Sequence, residues 1–322
     1  MKAIVSYKYG TPEVLEMTEV KKPVPLDHQV LVKVHAASLN YGNLILLKGK
    51  PVLARLAFGL LKPKYSIPGG DIAGRVEAVG NNVKQFQPGD EVFGDLSGCG
   101  WGGFAEYVSV PESALALKPV NLSFVEAAAV PMAGSTALQS LRDKGNIQKG
   151  QKILINGASG GVGTFAVQMA KSFGAEVTGV CSTRNVDILR SLGADHIIDY
   201  TKENFTKKTT TYDLILGVNG SQPLSAYNRV LHPNGIFVHV GGSEVQMFEA
   251  IVRGPLISMT SSKKMSTFLQ RPNQNDLYFM KELIEAEKVK PVIDQCYPLE
   301  EVSDAFRYFE KGHAKGKVVI TI

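Results

Sequence analysis

Residues 157–163, GASGGVG, stand between an apolar run, Ile153 to Asn156, and a helix-periodic segment, Val162 to Phe173. Within them Ala158-Ser159-Gly160-Gly161-Val162-Gly163 has the A-x-G-x-x-G spacing of a dinucleotide-binding turn. That spacing serves phosphate chemistry. Gly160 lets the backbone approach a pyrophosphate, and Gly163 lets the helix pack tightly on the strand. The helix N-terminus offers free N–H groups and the positive end of its dipole. A further strand-like run, Glu176 to Val180, follows in βαβ order, which is the context the motif requires. A tight βα turn with no ligand would not need two glycines and an alanine at these offsets.

The end of that second strand reports on the cofactor. A carboxylate there binds a ribose 2′-hydroxyl and selects NAD. Here Cys181 is followed by Ser182, Thr183 and Arg184. The two hydroxyls can donate hydrogen bonds and the guanidinium can pair with a phosphate, so the pattern predicts NADPH. The same Ser182-Thr183 pair would also serve as an N-cap, with Arg184 at the surface, and the two roles are compatible. Asn219 after one strand, and Gly241 with Gly242 after another, fall where such sheets bind ligands.

The elements that must position these residues change period along the chain. Up to about residue 120, short β-branched runs alternate with turn signals such as Pro68-Gly69-Gly70 and Gln87-Pro88-Gly89-Asp90. The runs are Ala3 to Tyr7, Gln29 to Ala37, Gly74 to Val79, Glu91 to Gly94 and Ala105 to Pro111, a barrel-like pattern. Residues 52–61, VLARLAFGLL, interrupt it with the spacing of a small amphipathic helix. They either pack on the barrel or line a pocket as a lid.

A Ser123-x-x-Glu126 capping box opens a helix over Leu122 to Arg142. Strands and helices then alternate to about residue 260, as in a doubly wound parallel sheet. Helices over Asn275 to Ala286 and Leu299 to Lys311 precede a final strand, Lys317 to Ile322, that returns to the first sheet. The expected division is therefore 1–121 with 261–322, and 122–260.

Composition narrows the class. The 322 residues are 44% hydrophobic and 20% charged, a globular balance for two domains. Three distant cysteines, Cys99, Cys181 and Cys296, support neither a disulfide framework nor a zinc knuckle. A net charge of +5 with only paired lysines gives no specific nucleic-acid signal. No apolar run approaches a membrane span, and MKAIVSYKYG lacks the apolar core of a signal peptide, so a cytoplasmic location is expected.

The runs GGDIAGRVEAVG at 69–80, FQPGDEV at 86–92 and GGFAEYV at 102–108 resemble the GroES-like domain of the medium-chain dehydrogenase/reductase superfamily. GASGGVG at 157–163, LGADHIIDY at 192–200 and GHAKGKVVITI at 312–322 continue the resemblance in the family's order. It is strongest to the zinc-independent quinone oxidoreductase branch. It implies an α/β chain: a GroES-like β-barrel catalytic domain, a Rossmann domain and a cleft between them.

By the same resemblance, Asn40 takes the place of the first zinc ligand and Gly70 that of a histidine ligand. Val130 to Gly134 supplies no cysteine or histidine for a third. Catalytic zinc needs three protein ligands, so no zinc is expected. Asn40 is then the candidate polar contact to cofactor or acceptor. Tyr41 is a candidate hydrogen-bond or proton donor, or a packing residue. Thr136 resembles a contact to the nicotinamide ribose, and Tyr200 one near the adenosine phosphate. His35, His239 and His313 read as structural.

The expected activity is NADPH-dependent hydride transfer to a quinone or another activated acceptor. An alkenal or enone reductase, and a non-catalytic NADPH-binding protein, are the alternatives. A homodimer through the Rossmann domain is expected, from the resemblance and from the apolar segment after Ile236.

Overall fold

The computed structural model describes residues 1–220, 222–242 and 244–322. The chain forms two compact units. One comprises Met1–Ser135, Arg271–Glu287 and Pro291–Ile322; the other comprises Thr136–Gln270 with Lys288–Lys290. The divisions thus fall at 135/136 and 270/271, beyond the changes of period near 121 and 260.

The first unit is organised on the strand Gln29–Ser38. Its ten residues alternate well enough to bury Val30, Val32 and Val34 in one core, and they are long enough to serve several partners. Asp71–Val79 pairs along one edge. Tyr107–Pro111 takes the first half of the other edge and Lys317–Thr321 the second, all antiparallel. Lys317–Thr321 also pairs in parallel with Ile293–Pro298. The returning strand expected from the sequence therefore lies inside this sheet. Phe104 and Phe306 meet edge-on beneath it, 6.2 Å between ring centres.

The second unit holds six strands in the order His196–Asp199, Glu176–Cys181, Lys152–Asn156, Tyr212–Gly217, Leu231–His239 and Lys264–Thr267. All neighbours are parallel. This is the dinucleotide-binding strand order, with its reversal beside Lys152–Asn156.

Several local expectations change. Lys264–Thr267 is a sixth strand of this sheet, past the point where alternation was expected to end. The long helix divides into Phe124–Ala128 and Pro131–Gln139, because Pro131 has no N–H to continue the ladder and instead opens a new helix. Its capping box is present: Ser123 N–H donates to Glu126 Oε2 (2.8 Å), and Glu126 N–H to Ser123 Oγ (3.3 Å). A helix not expected from the sequence, Tyr41–Lys48, opens at Tyr41 with Asn40 as N-cap. Residues 52–61 form a 3-10 turn, Val52–Ala54, and one helical turn, Arg55–Phe58, rather than a packed amphipathic helix.

Candidate functional site

In the second unit the candidate binding residues other than Thr136 lie at or just beyond the carboxyl ends of the strands. Gly157 turns the chain with φ of 89°, in the region that favours glycine. A Cβ on Gly157 would lie 2.7 Å from the backbone nitrogen of Asn219, so the turn and the exposed Asn219 adjoin. Gly163 is buried, and a Cβ there would lie 2.2 Å from the Gly157 carbonyl oxygen. What Gly163 lets the helix approach is thus the turn itself rather than the strand. Gly160 differs. Among the described residues a Cβ on it would meet only the Gly157 oxygen, at 3.7 Å. Gly160 caps the helix Gly161–Ser172 with extended backbone, so its small size leaves room on the outer side of the helix N-terminus.

Ala158 is buried, and its N–H donates to the Val180 carbonyl (3.1 Å). Ser159 Oγ accepts from Asn185 Nδ2 at 2.8 Å. Gly161 and Val162 form the helix's first, half-buried turn. Gly241 follows Leu231–His239, and its N–H donates to the Gly217 carbonyl (3.1 Å). Thr136 is half-buried in the helix Pro131–Gln139.

Ser182 is half-buried, Thr183 and Arg184 are exposed, and Tyr200 is exposed at the end of the neighbouring strand. The structure adds a carboxylate to this group. Thr183 Oγ1 donates to Asp199 Oδ2 (2.5 Å), and Thr201 donates to Asp199 Oδ1 from its hydroxyl (2.7 Å) and its N–H (3.0 Å). The proton of Thr183 is therefore committed to Asp199. Hydrogen bonds from Thr183 and then Thr201 hold the Asp199 carboxyl at about 2. Because this value is depressed, the stabilisation is complete above the ordinary carboxylate range near pH ~4. It is lost as pH falls through about 2. Thr183→Val should shift acid unfolding to higher pH, as followed by circular dichroism.

In the first unit a buried polar cluster forms around a residue that sequence reading passed over. Asp71 is fully enclosed at the start of its strand. Its Oδ2 accepts from Ser38 Oγ (3.0 Å) and Asn40 Nδ2 (2.8 Å), and its Oδ1 from the N–H of Met132 (3.0 Å). Lys317 brings its Nζ within 3.5 Å of the same carboxylate and donates to Asn40 Oδ1 (2.5 Å) and the Leu39 carbonyl (3.0 Å). Burial pushes the Asp71 carboxyl up, opposed by the Lys317 ammonium and the hydrogen bonds from Asn40, Met132 and Ser38. Burial likewise pushes Lys317 down, opposed by Asp71. Each charge is tolerable only beside the other.

Asn40 is therefore buried with its amide engaged inside the unit, and its N–H is held by Asn43 Oδ1 at 2.8 Å. Tyr41 next to it is 61% exposed. Trp101 lies against both glycines of this region: a Cβ on Gly42 would come within 3.0 Å of its ring and one on Gly70 within 3.1 Å. Its φ of 64° is a strained conformation for a bulky residue, flanked by Gly100 and Gly102 at positive φ. Its indole Nε1 and the Asn43 Nδ2 are buried without a hydrogen-bond partner among the described residues. No spacing in the sequence could have joined Asp71, Trp101 and Lys317.

The donor set does not fit zinc. Asn40 is spent, Gly70 has no side chain, and a cation already sits on Asp71. Among the described residues no three of His, Cys, Asp and Glu converge on one point. His35 stacks on Phe124 at 4.3 Å, as a structural residue would. The Cys99 sulfur, bonded to the Leu96 carbonyl, is pushed up to about 12 by its own burial and by Asp95, although the residue as a whole is open to solvent. It is not a reactive thiolate.

A GroES-like unit and a six-stranded Rossmann unit with this turn define a nicotinamide-dependent dehydrogenase/reductase architecture. Family models bear this out: one described as an alcohol dehydrogenase GroES-like domain matches residues 26–120, and one described as a zinc-binding dehydrogenase matches 192–320. The chain is 36% identical to the chloroplast envelope quinone oxidoreductase homolog of Arabidopsis thaliana over 95% of its own length and 93% of the relative's. It is also 36% identical to the NADPH-dependent alkenal/one oxidoreductase of the same plant, over 99% of its length and 79% of the relative's. Among solved structures, the quinone oxidoreductase from Coxiella burnetii superposes with a TM-score of 0.88 at 30% identity, covering 100% of this chain and 99% of the other. The chain belongs to the medium-chain dehydrogenase/reductase superfamily, in its quinone oxidoreductase branch, and is an NAD(P)H oxidoreductase. Among the described residues no helix is long and apolar enough to cross a membrane.

Proposed function

We propose that this chain is a zinc-independent reductase that uses NADPH to reduce a quinone or another activated acceptor. One observation carries the reading: an ammonium, Lys317, is bonded to Asp71 and Asn40 at the place where the superfamily's metal chemistry would need vacant donors. With no Lewis acid to polarise an alcohol or ketone, the acceptor must already be electron-poor. NADPH, when bound, supplies the hydride. The N–H groups at the start of Gly161–Ser172, opened by Gly160, bind its pyrophosphate, and Ser182 and Arg184 hold its 2′-phosphate. Tyr41 carries a proton at Oη for the acceptor oxygen as it gains charge. The relative named an alkenal/one oxidoreductase keeps an enone in the acceptor class beside quinones.

Turnover of a quinone and enone panel with NADPH and with NADH tests this reading, alongside elemental analysis of the purified protein. About one zinc per chain, or no turnover with any acceptor, would overturn it. Arg184→Ala should weaken NADPH binding by roughly 1–3 kcal/mol, the scale of hydrogen bonds to charged groups, and leave NADH nearly unchanged. Equal losses for both cofactors would remove the 2′-phosphate role.

We also propose a homodimer through the second unit. Among the described residues its sheet ends at Lys264–Thr267, which pairs on one side only. The adjoining helix Glu244–Thr260 exposes Val245, Phe248, Val252 and Leu256. A twofold axis at this edge would cover both. Light scattering at micromolar concentration should give twice the chain mass; a monomer would rule it out.

A further inference from the structure

We propose that residues 50–64 form a docking loop for the surface of an anionic lipid bilayer. Leu53 is 77% exposed, Leu56 75%, Leu60 65% and Leu61 94%, and Val52 is exposed beside them. Such a cluster of large aliphatic side chains in water marks an interaction surface. The cluster is built outward rather than loosely tethered. Arg55 Nε donates to the Gly49 carbonyl (3.0 Å) and its guanidinium lies over the Tyr9 ring, 4.6 Å from the centre. Tyr9 Oη donates to the Gly59 carbonyl (2.5 Å), and Lys64 N–H to the Phe58 carbonyl (2.6 Å). Phe58 is half-buried, edge-on to Trp101 at 6.2 Å, and Pro63 is buried. The loop is thus pinned from beneath, with its leucines held away from the core.

Charge decides what covers them. Between Leu44 and Gly70 the chain carries Lys48, Lys50, Arg55, Lys62 and Lys64 and no acidic residue. Lys48 pairs with Glu310; Lys50, Lys62 and Lys64 form no ion pair among the described residues. A second copy meeting this loop through the same face would set these cations against their equals, whereas anionic headgroups neutralise them while the leucines enter the acyl boundary. Apolar tips ringed by lysines, on a segment too short to span, are the composition of an interfacial anchor. Through Phe58 the loop touches the Trp101 wall beside Gly70, so docking would also place an apolar acceptor dissolved in lipid close to this unit's polar cluster. That last consequence rests on the reductase reading; the docking itself does not.

The test is sedimentation of the full-length protein with mixed phosphatidylcholine–phosphatidylglycerol vesicles, and with phosphatidylcholine alone. Binding should favour the anionic vesicles and fall with salt. The triple variant Lys50→Gln, Lys62→Gln, Lys64→Gln should bind on the order of a hundredfold more weakly, about fivefold for each cation near the surface. Leu53→Ser with Leu56→Ser and Leu61→Ser should also weaken binding, by at least about a hundredfold. Both variants should keep the wild-type thermal midpoint and turnover of a water-soluble quinone. Equal partition to both vesicle types, no partition, or indifference to either variant overturns the proposal. A change in oligomeric state in the leucine variant would assign the loop to a second copy and overturn it as well. Vesicle binding without turnover of any acceptor would instead sink the reductase reading and leave docking intact.

Discussion

Replacing Lys317 by methionine should cost about 3–5 kcal/mol, the usual penalty for leaving one member of a buried ion pair without its partner. Asp71 is fully enclosed, and its carboxylate would keep three hydrogen bonds but lose the Lys317 ammonium, its one cation among the described residues. Asn40 Oδ1 and the Leu39 carbonyl would lose a donor as well. The expected readout is a lower denaturant midpoint with an unchanged slope. Pairing Lys317→Met with Asp71→Asn should recover most of the loss, since a neutral amide needs no counter-ion. A double variant no more stable than the single one would show that Lys317 acts through packing of its stem and not through charge.

The second large effect separates two glycines three positions apart. Gly163→Ala places a methyl 2.2 Å from the Gly157 oxygen and 2.6 Å from the Ala158 carbonyl carbon, both backbone atoms that cannot swing aside. The turn must deform, so both thermal midpoint and cofactor affinity should fall. Gly160→Ala finds nothing nearer than 3.7 Å and should leave the midpoint unchanged. If the pyrophosphate lies against this position, the added methyl forces it from the helix N–H groups. The loss of such charge-assisted bonds, about 1.5–3 kcal/mol, is roughly ten- to a hundredfold in affinity. Isothermal titration with NADPH reads the contrast. Wild-type affinity in Gly160→Ala would mean that the phosphates bind elsewhere.

The sequence made legible what depends on neighbours in the chain. The turn at 157–163 could be read because its glycines, strand and helix are contiguous, and Gly163 proves to be held by backbone from the same turn. The strand Lys264–Thr267 escaped because four residues, KMST, carry little β signal and owe their state to pairing with Ile236–His239. The helix Tyr41–Lys48 escaped because its apolar residues follow no single face. The Asp71 cluster was beyond reach for another reason: Lys317 and Asn40 bond across 277 positions. Neither residue has a local signature of burial, and only the sheet brings them together. Asp199 was seen as part of the family run HIIDY, but its capture of the Thr183 proton depends on register across two strands.

The strand Lys317–Thr321 lies between Ile293–Pro298 and Gln29–Ser38, so part of the first unit's sheet is made of residues translated after the whole of the second unit's main segment. On the ribosome, strands from residues 1–135 emerge early but cannot close. Asp71 waits without its cation, and one edge of Gln29–Ser38 stays half bare. Residues 136–270 meanwhile have all six strands of their own sheet. The order of synthesis is thus inverted in closure: residues 136–270 hold every strand of their own sheet before the last strand of the first unit's sheet has been made. Until Lys317–Thr321 is made, the second half of one edge of Gln29–Ser38 has no partner, and the nascent first unit keeps an open sheet edge.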